Sequence, residues 1–122
     1  MKNYNAEELI SLQIKSDKVI ESLDIALGAR IHNREMKKKV KLFDYMKGDI
    51  ELSKQVLSSL ITYDCITTQI SASTECLKLG IFIKEAESVL QKISSRTDIG
   101  ISAYNAEMVL RVWNSEFPGK TL

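Results

Sequence analysis

The chain contains a single proline and only five glycines in 122 residues, so long stretches pass without a residue that breaks helices. Through most of these stretches, apolar residues recur at intervals of three, four or seven, as they do on one face of an α-helix. A sheet would need tight turns, and this composition supplies few residues for them. We therefore predict an all-α protein, with residues 1–122 forming a single domain. Its architecture is predicted to be an up-and-down bundle of four to five helices.

Two helices are predicted in the first third of the chain. Asn5 followed by Glu8 is typical of a capping box, so the first helix begins there. Its apolar stripe consists of Leu9, Leu12, Val19, Leu23 and Ala26. The second helix is predicted over about 29–45, because Gly48 is a stop signal and Asp49 is a favourable N-cap for the helix that follows.

The middle of the chain is harder to interpret. Helical spacing continues over about 49–79, which predicts one long third helix. Residues 58–74, however, are rich in Ser, Thr and Ile, which form helices weakly. The alternation of Ile61, Tyr63 and Cys65 therefore leaves a short strand open as an alternative.

Two further helices are predicted towards the C-terminus. Gly80 separates a fourth helix over about 82–95, whose inward-facing residues are predicted to be Ile83, Ala86, Leu90 and Ile93. Residues 94–102 have the composition of a loop. Ser102 is then a candidate N-cap for a fifth helix through about 114, closed by Pro118 and Gly119.

Charge is distributed unevenly. Residues 30–41 hold six cations and one anion, a net charge of +5, whereas all other positions together carry −4. On a helix, five of these cations fall within a stripe about 100° wide and about 16 Å long. They are Arg30, Arg34, Lys37, Lys38 and Lys41, and we name them the basic stripe. Met36, Val40 and Phe43 lie on the opposite flank, which is the expected packing face.

The basic stripe is a candidate surface for an acidic protein partner or for the phosphates of a nucleic acid. No aromatic residue lies between the cations, so stacking of bases is unsupported and any nucleic-acid contact would be to the backbone. A lysine-rich helix face that only meets solvent is the alternative interpretation.

The last predicted helix is apolar on most sides, which is typical of a helix covered by its neighbours or by a partner. Its large side chains suit a protein interface, and burial within the bundle is the alternative. The candidate interface residues are Tyr104, Met108, Trp113 and Phe117. A helix-turn-helix over about 89–113 fits less well, because Arg111 is the only cation on its recognition helix.

No catalytic, cofactor-binding or metal-binding residues are predicted. His32 is the only histidine, and Cys65 and Cys76 lack the spacing of a metal site, so each cysteine is expected to be a small core residue. A helical enzyme of the chorismate mutase type would use buried cations, and Arg30, Lys37 and Lys41 are expected to face water instead.

The sequence therefore favours a non-catalytic interaction protein that regulates, adapts or chaperones a protein partner and self-associates. The second hypothesis is a nucleic-acid-associated protein that uses the basic stripe. With no signal peptide or apolar run long enough to span a bilayer, no membrane partner is expected and the predicted location is cytoplasmic.

Overall fold

The computed structural model describes residues 3–23 and 28–116, and every regular element in these ranges is a helix. Within these ranges, six helices follow one another: α1 (Ala6–Ser22), α2 (Ala29–Met46), α3 (Ile50–Leu60), α4 (Ile66–Leu79), α5 (Ile83–Ser94) and α6 (Ile101–Glu116). The prediction of an all-α bundle is confirmed, but the predicted number of four to five helices is one or two too few.

The first and third helices begin at the predicted caps. At the start of α1, the Glu8 amide donates to Asn5 Oδ1 at 2.8 Å and the Asn5 amide donates to Glu8 Oε1 at 3.2 Å. At the start of α3, the Leu52 amide donates to Asp49 Oδ1 at 3.1 Å. These bonds satisfy amides that have no partner within their own helix.

The predicted long third helix is wrong, because a turn over residues 61–65 divides it into α3 and α4. The strand alternative is also wrong, since residues 58–74 contain no strand. Backbone bonds close the turn, from the Tyr63 amide to Leu60 and from the Cys65 amide to Tyr63. The Gln69 side chain also donates to the Tyr63 carbonyl at 2.7 Å. These hydrogen bonds therefore hold the turn, which contains neither glycine nor proline.

Glycine ends α4 as predicted. Gly80 has a φ of 73°, and the amides of Gly80 and Ile81 donate to the carbonyls of Leu77 and Cys76. This left-handed position favours glycine, because a side chain there would be strained. The predicted cap of the last helix is displaced, because α6 begins at Ile101 and Ser102 lies in its first turn.

The helices pack around a core in which α4 is central, contacting α1, α3, α5 and α6. α1 also packs on α2 and α3, and α5 packs on α6. The largest fully buried apolar side chains of the described residues are Leu9, Met46, Val56, Leu57, Leu60 and Leu90. Ala86, Leu90 and Ile93 of α5 are buried, as predicted, and Ile83 packs partly buried against the core.

The orientation of α2 differs from the expectation. Phe43 is buried, but Met36 and Val40 are exposed, so the predicted flank is not the packing face. In their place, α2 turns the charged residues Glu35 and Lys39 towards α1 and α4. Burial of these charges is tolerated because each one finds a polar partner on another helix.

Candidate interaction surfaces

All five members of the basic stripe are exposed on the outer face of α2. Together with Asn33, they line a shallow concavity on the surface. The neighbouring Lys39 points the opposite way and is only 2% exposed. Of the six cations in residues 30–41, five therefore face solvent and one is internal.

Glu35 is the anion closest to the basic stripe. Its Oε2 lies 3.1 Å from Lys38 Nζ and 3.4 Å from Arg34 Nε, at the edge of the buried face of α2. Burial on its own raises the pKa of Glu35, but hydrogen bonds from Ser16 and Lys38 outweigh it, so the pKa lies below its ordinary value. The carboxylate thus joins α1 to α2 and partly neutralises two cations.

Lys39 and Asp17 form an ion pair inside the protein, where α1, α2 and α4 meet. Lys39 Nζ lies 2.5 Å from Asp17 Oδ1, and Asp17 is 1% exposed. From α4, Thr68 donates its hydroxyl to Asp17 Oδ2 at 2.7 Å, and Ser71 Oγ accepts from Lys39 Nζ. We name these four residues the polar junction. The charges of Asp17 and Lys39 neutralise each other. The two α4 hydroxyls supply a further hydrogen bond to the carboxylate and to the ammonium.

Gln13 of α1 lies beside the polar junction and is buried, and its Nε2 donates to the Lys39 carbonyl at 3.5 Å. Gln13 Oε1 and the buried Ser73 Oγ have no hydrogen-bond partner within the described part of the chain. The interior next to α1 therefore contains several buried polar side chains.

Sequence reasoning did not find the polar junction. Asp17 and Lys39 are separated by 22 positions, and lysine is rarely buried, so composition favours an exposed Lys39. One signal was present: Ser16 interrupts the apolar stripe of the first helix, and Ser16 and Asp17 are both buried. Polar residues on the packing side of α1 indicate polar partners on the facing helix.

The candidate interface residues of α6 lie in different environments. Tyr104 is 58% exposed and Met108 is half-buried. Trp113 belongs to the core, where its Nε1 donates to Glu87 Oε2 on α5 at 2.8 Å. Phe117 lies outside the described residues. The structure thus leaves Tyr104 and Met108 on the surface and places Trp113 inside.

Two residues that the sequence analysis did not select share the outer face of α6. Ile101 is 66% exposed and Val112 is 54% exposed. With Tyr104 and Met108, they follow spacings of three, four and four, which place all four within about 80° of the helix circumference. We name Ile101, Tyr104, Met108 and Val112 the α6 stripe. The spacing of these four apolar residues is visible in the sequence. It identifies one helix face once Trp113 is assigned to the opposite face.

The α5–α6 unit departs from a helix-turn-helix. Residues 95–100 connect the two helices, a longer link than the usual turn of three to four residues. Arg111, the one cation of α6, lies 3.3 Å from Glu107 of the same helix. A neutralised arginine beside an apolar stripe does not favour contact with phosphates.

Both cysteines are buried and free, as predicted for core residues. Burial, together with the nearby carboxylates of Glu75 and Glu85, raises the pKa of the Cys76 thiol to about 12. Such a thiol holds its proton at neutral pH, and it is a poor nucleophile and metal ligand. His32 is exposed on α2.

The described residues contain no group of three or more His, Cys, Asp or Glu side chains arranged to hold a metal ion. No described helix is both long and apolar enough to cross a membrane. No protein-family model matches the sequence, and no curated protein or solved structure is significantly similar to it.

Proposed function

We propose that this chain is a non-catalytic interaction protein that associates with a second copy of itself through the α6 stripe. The observation that carries the proposal is the exposure of Ile101, Tyr104 and Val112 on one face of a helix whose other face is buried. Scattered exposed apolar residues are normal on protein surfaces, but a continuous row on one helix is typical of a docking face.

The pattern of the α6 stripe suits a symmetric pair. If two α6 helices pack antiparallel about a two-fold axis at Met108, Tyr104 of one copy lies opposite Val112 of the other. The same contact then occurs twice, as it does in isologous dimers. Glu107 and Arg111, which pair with each other, flank one side of the row and form a polar rim.

Four side chains from each copy cover less than the roughly 800 Å² per partner of a standard interface. We therefore expect a weak dimer, with a Kd of about a micromolar or more. The wild-type mass is expected to rise from monomer towards dimer over a concentration series in sedimentation equilibrium.

Val112→Glu tests the role of α6, and Val40→Glu is its matched control. The two valines are almost equally exposed, at 54% and 55%, and lie on different helices. The Val112→Glu variant is expected to remain monomeric at every concentration. The introduced carboxylate would lose its hydration between two packed α6 helices, which is unfavourable. The Val40→Glu variant is expected to associate like the wild type. A wild-type protein that stays monomeric, or equal losses in both variants, would contradict the proposal.

A further inference from the structure

The basic stripe on α2 is a second surface that self-association through α6 does not explain. Its five cations are exposed along one helix face, and with Asn33 they line a shallow concavity. The face is held outward by its own helix, since Glu35 and Lys39 on the other side bind α1 and α4. It is therefore a fixed row of charge on an anchored helix.

Most cations of the stripe are not neutralised by a neighbouring carboxylate, although several other surface cations are. Lys47, Lys78, Arg96 and Arg111 each lie within 3.3 Å of a carboxylate close in sequence. In the stripe, Glu35 alone contacts Arg34 and Lys38. Arg30, Lys37 and Lys41 form no ion pair with any described residue, so their charges remain available to an external anion.

The residue types favour phosphate over an acidic protein. Lysine is depleted at protein interfaces, which are centred on apolar and aromatic side chains, and the stripe contains neither. The absence of aromatic residues between the cations also disfavours single strands, which bind by base stacking. The row of about 16 Å is long enough to contact several phosphates of a duplex backbone.

We propose that α2 binds the phosphate backbone of duplex nucleic acid through Arg30, Arg34, Lys37, Lys38 and Lys41, without reading the base sequence. Counterion release then makes binding strongly salt-dependent. With all five cations engaged, log Kobs falls with log[salt] at a slope of about −4.5.

Fluorescence anisotropy on the full chain tests this proposal, with labelled 20-bp DNA and RNA duplexes, a single strand and poly-glutamate as probes. Titrations between 50 and 200 mM KCl give the slope. We expect both duplexes to bind more tightly than the single strand and poly-glutamate. The two duplex arms show whether DNA or RNA is preferred. Poly-glutamate binding as tightly as duplex would overturn the choice of phosphate, and a tighter single strand would overturn the choice of duplex.

A pair of triple variants locates the site. The stripe variant carries Lys37→Gln, Lys38→Gln and Lys41→Gln, and the control carries Lys54→Gln, Lys84→Gln and Lys92→Gln. The control lysines are exposed on α3 and α5, so both variants lose the same net charge. The stripe variant is expected to bind at least tenfold more weakly than the control at 50 mM KCl. Its slope is expected to be less steep by about 2.7 units, while the control keeps the wild-type slope.

Thermal unfolding followed by circular dichroism establishes that both variants are folded. Because the substituted side chains are exposed, we expect helical content and Tm close to those of the wild type. If the stripe variant does not fold, single Lys37→Gln and Lys41→Gln substitutions replace it, each expected to reduce the slope by about one unit. Equal weakening in stripe and control variants, or no duplex binding by the wild type at 50 mM KCl, would overturn the proposal.

Discussion

Lys39 of α2 and Asp17 of α1 form an ion pair in the interior, with Nζ 2.5 Å from Oδ1 and both residues at most 2% exposed. Thr68 and Ser71 bring α4 into the same contact. The pair determines how α2 is rotated about its axis. With Lys39 turned inward, the basic stripe must face solvent, and Met36 and Val40 lie between the two faces.

Breaking this pair is expected to destabilise the protein strongly. Lys39→Met leaves the Asp17 carboxylate buried without its counter-ion, and Asp17→Asn leaves the ammonium in the same position. Each substitution is expected to lower the free energy of unfolding by about 3–5 kcal/mol, measured by urea denaturation. The double variant removes both charges, so its loss should be smaller than the sum of the two single losses.

Lys37→Met is the matched control for Lys39→Met, since it removes a neighbouring lysine that is exposed. Its expected effect is within about 0.5 kcal/mol. If Lys37→Met and Lys39→Met destabilise the protein equally, Lys39 is not buried in solution. Additive losses in the double variant would show that Asp17 and Lys39 do not interact.

Stability is expected to fall in acid, partly through Glu35. Because the folded protein holds the pKa of Glu35 below its unfolded value of about 4.3, the carboxylate stabilises the fold above that pH. This contribution is lost as the pH falls through the lower, folded pKa. In urea titrations between pH 6 and pH 3, Glu35→Gln should show a shallower loss of stability than the wild type.

Asp64→Asn removes an exposed carboxylate from the turn between α3 and α4 and serves as the control for acid stability. We expect its stability to follow the wild-type pH dependence closely. A Glu35→Gln profile that also coincides with the wild type would show that the Glu35 carboxylate does not link α1 to α2.

Local signals were sufficient for three of the helix ends and for α5. The capping box of Asn5 and Glu8, the cap at Asp49 and the stop at Gly80 depend on neighbouring residues, so they are visible in the sequence. The break between α3 and α4 was not visible, because buried Ile61 and Cys65 continue the apolar pattern through a turn without glycine or proline.

The rotation of α2 was missed for a different reason. Periodicity assigns Met36 and Val40 to the packing face, because apolar side chains gain most from burial. The structure buries Lys39 instead, since Asp17 and Ser71 on two other helices supply its partners. Such pairing depends on tertiary contacts, which a single sequence does not show.

The backbone of Gly80 provides a test of the α4–α5 connection. Its φ of 73° is unfavourable for other residues, although a Cβ would meet no atom within 4 Å. Gly80→Ala is therefore expected to destabilise by about 1 kcal/mol or more through backbone strain alone. Gly48 also has open space around it, but it lies outside the left-handed region.

Gly48→Ala is accordingly the control, and it is expected to be neutral or stabilising by up to about 1 kcal/mol. Thermal unfolding of both variants under one condition gives the comparison. Equal Tm values for the two alanine variants would contradict the left-handed end of α4.

Cys76 is expected to resist thiol reagents in the folded protein. With a pKa of about 12, only about one thiol in ten thousand is ionised at pH 8, and the side chain is buried. Ellman's reagent should therefore modify Cys76 only after denaturant is added, when two thiols per chain react. Rapid modification of Cys76 in native buffer would show that α4 is more open than described.

Amine labelling tests most directly whether α2 turns Lys39 inward and the basic stripe outward. Native protein is acetylated with a light reagent, denatured, acetylated with a heavy reagent and analysed by mass spectrometry residue by residue. We predict mainly light label on Lys37, Lys38 and Lys41, and at least tenfold slower native labelling of Lys39. Lys39 labelled as fast as its exposed neighbours would contradict the account.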